Sequence, residues 1–314
     1  MTSSLPFVSI VIVTRDNEQD TIDCLNSLLN LDYPVDSIEI VIWDNNSTAK
    51  SKDRLRSSID QIQPGFIKLI EHHENLGVYT SRDEVFHRTR DDAKYILSLD
   101  DDVILPPSSL RAFVAFAQEH PNVAVIGPRV MYADYPDQVQ SSARFVDWRW
   151  AGRFSMRDSN IPLDCDWVIG CCMFVRRDIF IALGGFDRDF YTSQGEVDFC
   201  LRVVRSGSRV VYLPTVVIKH RVDLEGTQTC ERLYYLVRNK FLMFKKNAPT
   251  LAKVSYYPFY YTLWLPRLIL VQIRRQMANS RKMDLNELRI IAIAAWHALS
   301  GKTGRYDLDN NGER

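Results

Sequence analysis

The sequence has no surplus of either charge. Its 314 residues include 39 Lys and Arg against 39 Asp and Glu, so the formal net charge is zero. Domains that bind nucleic acid usually carry a basic excess, and we therefore expect no nucleic-acid partner. With 46% hydrophobic and 25% charged residues, the composition is that of a packed globular chain and not of a disordered one. The length allows one large α/β domain, alone or with an appendage.

Targeting signals and metal-binding cysteine motifs are also missing. The N-terminus lacks the basic region and the cleavage site of a signal peptide, and the apolar run Phe7–Thr14 is too short to cross a bilayer. The six cysteines form no CxxC pair and no zinc-type spacing. Cys24 and Cys200 fall on apolar helix faces, as reduced core thiols do. We therefore expect a cytoplasmic protein without a catalytic cysteine.

Strand and helix patterns alternate through the first half of the chain. Apolar, β-rich segments predict strands, and apolar residues at helical spacing lie between them. The predicted strands are Phe7–Thr14, Ile38–Asp44, Phe66–His72, Tyr95–Asp100 and Val123–Val130. This alternation predicts βαβ units and therefore an α/β fold with a mostly parallel sheet.

The pattern changes twice in the second half. Residues 132–165 are rich in Asp, Arg and Trp and are predicted to form an irregular, loop-bearing insertion near a site. Two short apolar segments, "RVVYLP" and "VVIKH", are predicted to close the α/β region near His220. Residues 228–300 show helical, aromatic and basic character without any strand pattern.

Three adjacent carboxylates follow the predicted strand Tyr95–Asp100. Asp100, Asp101 and Asp102 repel one another, so a cation near them would stabilise the strand end. Because alternate side chains of an extended chain share a side, Asp100 and Asp102 can converge while Asp101 points away. Two carboxylates on one side suit Mg²⁺ or Mn²⁺ beside phosphates. An acidic turn with capping roles is the alternative.

Several motifs occur in the order and spacing of one known family. They are "VSIVIVTRDNEQDTIDCLNSLL", "IEIVIWDNNST", "NLGVYTSRD", "LSLDDDV", "DWVIGCCMFVRRDIF", "LGGFD", "GEVDFCLR" and "YLP…VIKH". Over roughly residues 7–220 the chain resembles the family 2 glycosyltransferases, the inverting GT-A group, and its rhamnosyltransferase-like members. The resemblance implies a GT-A catalytic domain over residues 1–225. It leaves a helical extension over 226–302, with membrane association as one of its alternatives, and a polar tail over 303–314.

The resemblance also implies a donor site for a nucleotide-diphosphate sugar. Asp100 and Asp102 are implied to hold Mg²⁺ or Mn²⁺, with Asp102 as the direct ligand and Asp100 nearer the ribose. His220 matches the third metal ligand of the family, although a capping or buried histidine is the alternative. The remaining donor-side candidates are Thr14 and Asp44 at the nucleobase, Arg82 at the diphosphate, and Asp16, Asn75 and Asp101 nearby.

The sequence departs from the family pattern in two places, and the first is Val78 and Tyr79 of "NLGVYTSRD", which replace smaller residues. The second lies on the acceptor side of the site. The family opens the helix after "GGFD" with an acidic "ED" pair, whereas this chain has Gly195 and Glu196 there. Glu196 is implied to be the catalytic base, with Asp198 as the alternate, and both could instead be N-terminal helix acids. Trp167 and Gly170 match the acceptor loop, where the Trp stacks on a sugar or packs in the core.

The apolar segment 254–275 raises the question of membrane contact. Pro258, Pro266 and Arg267 interrupt it, which argues against a spanning helix. Its aromatic residues and basic flanks favour a helix lying on an anionic membrane surface, and a helical pair packed on the catalytic domain is the alternative.

Three functions were compared on these grounds. The expected one is metal-dependent transfer of a sugar to a glycan or lipid-linked acceptor, in cell-surface polysaccharide or glycoconjugate synthesis. An inactive sugar-nucleotide or glycan-binding homologue at the membrane is the alternative. A phosphate-ester hydrolase is disfavoured because its DxDx[TV] motif belongs after the first strand, and "DDDV" follows the fourth.

Overall fold

Strands and helices alternate from Val8 onward in the computed structural model, which describes residues 5–62, 66–150, 152–222, 229–278 and 285–306. The strands are β1 (Val8–Thr14), β2 (Ile38–Asn45), β3 (Ile67–His72), β4 (Tyr95–Asp100), β5 (Val103–Ile104), β6 (Val123–Tyr132), β7 (Val139–Ser141), β8 (Ala143–Asp147), β9 (Arg153–Arg157), β10 (Leu163–Asp164), β11 (Cys172–Arg176) and β12 (Arg209–His220). The helices are α1 (Glu18–Leu29), α2 (Ala49–Asp60), α3 (Val78–Phe86), α4 (Ser109–Glu119), α5 (Arg177–Ala182), α6 (Gly195–Arg205), α7 (Cys230–Asn247), α8 (Thr250–Phe259), α9 (Leu265–Ala278) and α10 (Leu285–Ser300).

A mixed sheet in the order β10-β12-β6-β11-β4-β1-β2-β3 carries the fold. The pairs from β3 to β4 are all parallel, and β11 runs antiparallel to both of its neighbours. The central strands are apolar on both faces because helices or loops cover both faces. Ile10 and Ile12 pack into one buried cluster, and Val11 packs into the other. The predicted α/β class with a mostly parallel sheet and C-terminal helices is confirmed.

The parallel strands bring their carboxyl ends to one edge of the sheet. Thr14 pairs with Asp44 between β1 and β2, and Val13 pairs with Asp100 between β1 and β4. Polar residues that follow three strands far apart in sequence therefore meet at one edge, where open α/β sheets bind their ligands.

One continuous strand replaces the two short ones predicted near residue 215. β12 runs parallel to β6, and its register shifts between Leu213 and Val217. Pro214 lies within the shift, where it has no N–H to donate to the sheet. The far end of β12 pairs with β5, so that His220 lies opposite Val103. This pairing carries His220 to the turn that follows β4.

Residues 132–165 are more regular than predicted. Within this segment, β7 adds to the large sheet beside β6, and β8 and β9 form a separate antiparallel hairpin. Most hairpin side chains are half-buried or exposed, so no alternation of apolar and polar residues marks these strands in the sequence.

The C-terminal helices form a third core that is rich in tyrosine. Buried Tyr234, Tyr235, Tyr256 and Tyr260 pack with apolar side chains of α7 and α10. Helices α8 and α9 join through a π-helical turn over Tyr260–Trp264, two residues after Pro258. Among the described residues, no helix combines the length and hydropathy that a membrane crossing requires.

Candidate active site

Two carboxylates and an imidazole converge just beyond β4. One ligand atom from each of Asp100, Asp102 and His220 lies within 4.8 Å of the other two. His220 Nε2 is 2.9 Å from Asp102 Oδ1 and 4.0 Å from Asp100 Oδ2. Asp100 ends β4, Asp102 lies in the turn to β5, and β12 delivers His220. The structure thus brings together the three residues considered as metal ligands.

Gln140 orients the imidazole of His220. Its Oε1 lies 2.8 Å from Nδ1, which therefore donates its hydrogen and leaves Nε2 facing Asp102. Burial alone lowers the pKa of His220, but the Cys171 sulfur and the Asp102 carboxylate outweigh it and raise that pKa to about 11. The surroundings of Nε2 therefore favour a positive charge there, either a proton or a metal ion.

The donor atoms of this cluster fit a divalent cation. Asp102 Oδ1 is buried and, within the described residues, has no hydrogen-bond partner besides the nearby His220. Carboxylate oxygens suit Mg²⁺ and Mn²⁺, and an added imidazole suits the transition metal. Asp100, Asp102 and His220 are therefore the residues that would hold such an ion.

Asp101 points away from the cluster, as the alternation of side chains predicted. Its Oδ1 accepts a hydrogen bond of 3.2 Å from Asn17 Nδ2, in the residue just before α1. Burial, together with repulsion from Asp102 and Asp100, raises the pKa of Asp101 to about 7 despite hydrogen bonds from Thr14 and Asn17. The three adjacent aspartates are therefore not equivalent.

Arg82 is a buried cation beneath the carboxylates and not a surface residue of α3. It is 2% exposed, and its Nη2 donates to Asp100 Oδ1. A buried guanidinium needs such a partner, because desolvation of an unpaired charge is costly. Arg82 thereby offsets part of the repulsion among the aspartates.

An open cleft of about 690 Å³ lies over this edge of the sheet. The predicted donor-side residues that line it are Thr14, Asp16, Asn75, Asp100, Asp101 and Asp102. The opposite side is formed by Tyr191, Thr192 and Ser193 and by residues near the start of α7. Asp44, Arg82, Glu196 and His220 lie outside this lining.

Asp44 is buried at the end of β2, with one oxygen still available. It is 1% exposed, and its Oδ1 accepts a 3.0 Å hydrogen bond from the Ser47 amide. Its buried Oδ2 has no hydrogen-bond partner among the described residues. A buried acceptor of this kind is usually satisfied, so it marks a position that a ligand donor could complete.

The other donor-side residues shape the backbone of the cleft. The Asp16 carboxylate accepts a 2.7 Å hydrogen bond from the Thr48 amide, which lowers the pKa of Asp16. Asn75 Oδ1 accepts from the Gly77 amide at 2.9 Å. The Thr14 hydroxyl is 2.8 Å from that of Thr21, inside the protein. These side chains hold the loops that line the cleft.

Glu196 lies in the first turn of α6, next to Arg82. Its Oε2 accepts a hydrogen bond from the Tyr79 hydroxyl. A Cβ built on Gly170 would lie 2.9 Å from Arg82 Nη1 and 3.6 Å from Glu196 Cβ, so all three meet at one point. Burial raises the pKa of Glu196, although the Tyr79 hydrogen bond and the charge of Arg82 counteract it. A raised pKa is a property of carboxylates that act as general bases.

Asp198 has a different environment, outside this cluster. It is 2% exposed, and its Oδ2 accepts a 2.8 Å bond from Arg202 Nε. Its Oδ1 accepts a 2.7 Å bond from Asn247 Nδ2 of α7. One oxygen is therefore occupied within α6 and the other joins α6 to α7, and Asp198 is not part of the Asp100, Asp102 and His220 cluster.

The two acceptor-loop candidates, Trp167 and Gly170, have different surroundings. Trp167 is 6% exposed and packs in the core, with its ring centroid 5.0 Å from that of Phe154 and the Arg144 guanidinium 5.4 Å from it. Of the two roles considered for Trp167, the structure shows core packing. Gly170 lies at the meeting point of Arg82 and Glu196, where no side chain would fit without displacing Arg82.

Three residues at the site were not identified from the sequence. Gln140 falls in the segment predicted to be irregular, so nothing marked it as a partner of His220. Tyr79 stood out as larger than the family pattern, without an indication of its partner. Asn239 of α7 donates to the Thr192 and Ser193 carbonyls, and Ser193 has a φ of 61°. Such strained loops persist only where neighbours hold them.

Comparison with known proteins identifies the family. The model of glycosyl transferase family 2 matches residues 9–184, which is more than half of the chain. The chain belongs to glycosyl transferase family 2. It is thus an enzyme that transfers glycosyl groups, and the resemblance of its motifs is confirmed.

This glycosyltransferase is similar to two bacterial rhamnosyltransferases. It is 24% identical over 222 residues to rhamnosyltransferase WbbL of Escherichia coli, a match that covers 66% of this chain and 80% of WbbL. It is 25% identical over 261 residues to the N-acetylglucosaminyl-diphospho-decaprenol L-rhamnosyltransferase of Mycobacterium tuberculosis, with 74% and 81% covered. The family likeness therefore extends over most of both relatives.

A solved structure supports the fold. The mannosyltransferase PcManGT of Pyrobaculum calidifontis, in complex with GDP-Man and Mn²⁺, superposes with a TM-score of 0.60 at 15% identity. The superposition covers 94% of this glycosyltransferase and 81% of PcManGT. At this identity the likeness establishes the GT-A fold alone.

The different orientations of the aspartates predict different effects on metal binding. We expect Asp102→Asn to weaken Mn²⁺ binding by more than about 100-fold, since loss of a ligand costs more than loss of an outer-shell contact. Asp101→Asn should weaken it less than about fivefold, because Asp101 faces Asn17. Isothermal titration of Mn²⁺ into both variants measures the difference. Equal losses would contradict the assigned orientations.

Proposed function

We propose that this glycosyltransferase is an inverting, metal-dependent enzyme. It moves a sugar from a nucleotide-diphosphate donor to a hydroxyl of a glycan or lipid-linked acceptor in cell-surface polysaccharide or glycoconjugate synthesis. The observation that carries the proposal is the position of Arg82 between the candidate metal ligands and Glu196. Arg82 donates a hydrogen bond to Asp100 and lies beside Glu196. The similarity to the two rhamnosyltransferases supports this class of reaction.

On the donor side, the nucleobase is assigned to the region of Asp44 and Thr14, and the diphosphate to the region of Asp100 and Asp102. A Mg²⁺ or Mn²⁺ ion there would supply charge stabilisation of the departing diphosphate. Arg82 holds Asp100 in place through a hydrogen bond, and Gln140 keeps the Nε2 atom of His220 facing the carboxylates. Arg82 and Gln140 thus hold two of the candidate metal ligands in position before the donor binds, so little rearrangement accompanies the reaction.

On the acceptor side, Glu196 is assigned as the general base. The acceptor hydroxyl transfers its proton to the Glu196 carboxylate as its oxygen bonds the anomeric carbon, and the diphosphate leaves with the electron pair of the broken bond. Attack opposite to the leaving group inverts the anomeric configuration. Glu196 adjoins Arg82, whereas Asp198 is engaged by Arg202 and Asn247.

Donor binding can be tested without knowing the acceptor. We expect at least one of a UDP-, GDP- and dTDP-sugar set to raise the melting temperature with Mn²⁺, and to lose that effect with EDTA, because Asp100, Asp102 and His220 would hold an ion that favours binding of the diphosphate. Thermal shift measures this effect, and hydrolysis or transfer of the bound donor is then followed by nucleotide release. A reproducible shift without any turnover would favour the binding-only homologue.

The two acids of α6 should respond differently to substitution. Glu196→Gln should lower kcat by about 100-fold or more at an unchanged melting temperature, since it removes the base while keeping the shape. Asp198→Asn should chiefly lower the melting temperature, because it weakens a buried ion pair with Arg202. Nucleotide release and thermal denaturation of both variants give the two readouts. Full kcat in Glu196→Gln with a well-folded but inactive Asp198→Asn would reverse the assignment.

We further propose that the outer side of α8 and α9 lies on an anionic membrane surface. The apolar side chains of Leu251, Val254, Leu263, Leu270 and Met277 are 88%, 77%, 59%, 55% and 74% exposed. Exposed Arg267 and Arg274 lie on the same pair of helices. Apolar contact and attraction of cations to acidic lipids together favour such binding.

Vesicle binding tests this surface. Leu263→Glu/Leu270→Glu should reduce co-sedimentation with phosphatidylglycerol vesicles by about fivefold or more, because two carboxylates replace apolar side chains at the lipid surface. Ile161→Glu is the matched control, since Ile161 is 70% exposed but lies before β10. Equal binding of the wild-type protein to neutral and anionic vesicles, or equal loss in both variants, would contradict the proposal.

A further inference from the structure

The two positions that depart from the family pattern contact each other. A Cβ built on Gly195 would lie 2.5 Å from Tyr79 Cγ and 2.6 Å from its Cδ2. The Tyr79 ring therefore occupies the space into which any side chain at residue 195 would extend. Real Cβ atoms do not approach ring carbons this closely, so only glycine fits beside this tyrosine. The tyrosine in α3 thus excludes any side chain larger than that of glycine at the start of α6.

The same tyrosine reaches the carboxylate that follows Gly195. Its ring is 4% exposed and packs against Phe186, with 5.6 Å between ring centroids. Its hydroxyl donates to Glu196 Oε2. A buried phenol with a packed ring has one accessible orientation, so this donor is fixed relative to the carboxylate.

The start of α3 is itself tied to the loop before α6. The Val78 amide donates to the Tyr191 carbonyl at 2.8 Å. Gly77, with a φ of 77°, lies so close to Tyr191 that a Cβ there would contact its carbonyl and ring. Tyr79 and Glu196 therefore belong to one fixed unit, although 117 residues separate them.

We propose that Tyr79 is a positioning residue for Glu196, and that Gly195 is present because it admits the Tyr79 ring. The proposal rests on the function proposed above, in which Glu196 is the base. The Tyr79 hydroxyl holds Oε2, so that Oε1 receives the proton of the acceptor hydroxyl while the glycosidic bond forms and the nucleotide diphosphate leaves. The Tyr79 ring fills the space into which the first acid of the family pair would extend.

The charges around Glu196 give this arrangement a measurable consequence. The groups that face its carboxylate are Tyr79 and Arg82 from α3, Asp100 from β4 and Arg144 from β8. Burial raises the pKa of Glu196, and the hydrogen bond from Tyr79 lowers it by favouring the ionised form. Removal of the hydroxyl must therefore raise the pKa of Glu196 further. A base acts only when ionised, so activity on the acid side would decline.

The first experiment is the pH profile of Tyr79→Phe, which keeps the ring beside Gly195 and removes only the hydroxyl. We expect the acid limb of kcat/KM to move to higher pH and kcat at pH 6.5 to fall by about tenfold, with the donor KM unchanged. Tyr33→Phe is the matched control, because it removes a hydroxyl that bonds the Pro6 carbonyl far from the site. This control should keep the wild-type profile.

The second experiment measures the packing independently of activity. Gly195→Ala should lower the melting temperature in the wild-type background, where its Cβ meets the ring. In a Tyr79→Ala background the same change should raise it, because alanine is the better helix former once the space is open. If Gly195→Ala lowers the melting temperature in one background and raises it in the other, the result supports the steric exclusion by Tyr79. Equal changes in both backgrounds would overturn it.

The outcomes distinguish a failure of this inference from a failure of the proposed function. If Glu196→Gln is inactive while Tyr79→Phe keeps the wild-type pH profile and kcat, the positioning role is wrong and the proposed base stands. If Glu196→Gln keeps full kcat, the base assignment fails and the positioning role fails with it. A shifted acid limb in Tyr79→Phe together with an inactive Glu196→Gln supports both.

Discussion

Electrostatic repulsion at the end of β4 is the constraint on which the rest of the site depends. Asp100, Asp101 and Asp102 end a buried strand, and each is accommodated by a different neighbour. Arg82 donates a hydrogen bond to Asp100, and Asn17 donates one to Asp101. His220 lies next to Asp102. These neighbours come from α3, the start of α1 and the end of β12. Assembly of the acidic cluster therefore requires much of the sheet to be in place.

The sequence predicted those parts of the fold that local patterns specify. The strand Tyr95–Asp100 was predicted at its observed limits because it is uniformly apolar and ends on charge. The alternation of side chains along an extended chain predicted that Asp101 faces away from Asp100 and Asp102, and in the structure Asp101 bonds Asn17. The β8–β9 hairpin was missed because its half-exposed side chains carry no clear period. Gln140 beside His220 was missed for a related reason, since a contact across 80 residues leaves no local signal.

Helix α7 has a larger part in the site than its sequence indicated. Asn239 holds the Thr192 and Ser193 carbonyls, Asn247 bonds Asp198, and Lys246 bonds Asp187 and Asp189. These contacts fix the loop that leads into Glu196. The C-terminal helices thus support the loop and the helix that carry Glu196, and they also contribute exposed apolar side chains to the surface.

The position of β12 also has a consequence for how the molecule is made. The first four strands are parallel neighbours that can associate while the chain is still being synthesised. His220 reaches Asp102 only after β6, β11 and β12 have joined the sheet, more than 100 residues later. Contacts of such long sequence separation form late in folding. A nascent chain that has not yet formed β12 therefore lacks the imidazole that joins Asp100 and Asp102 in the completed cluster.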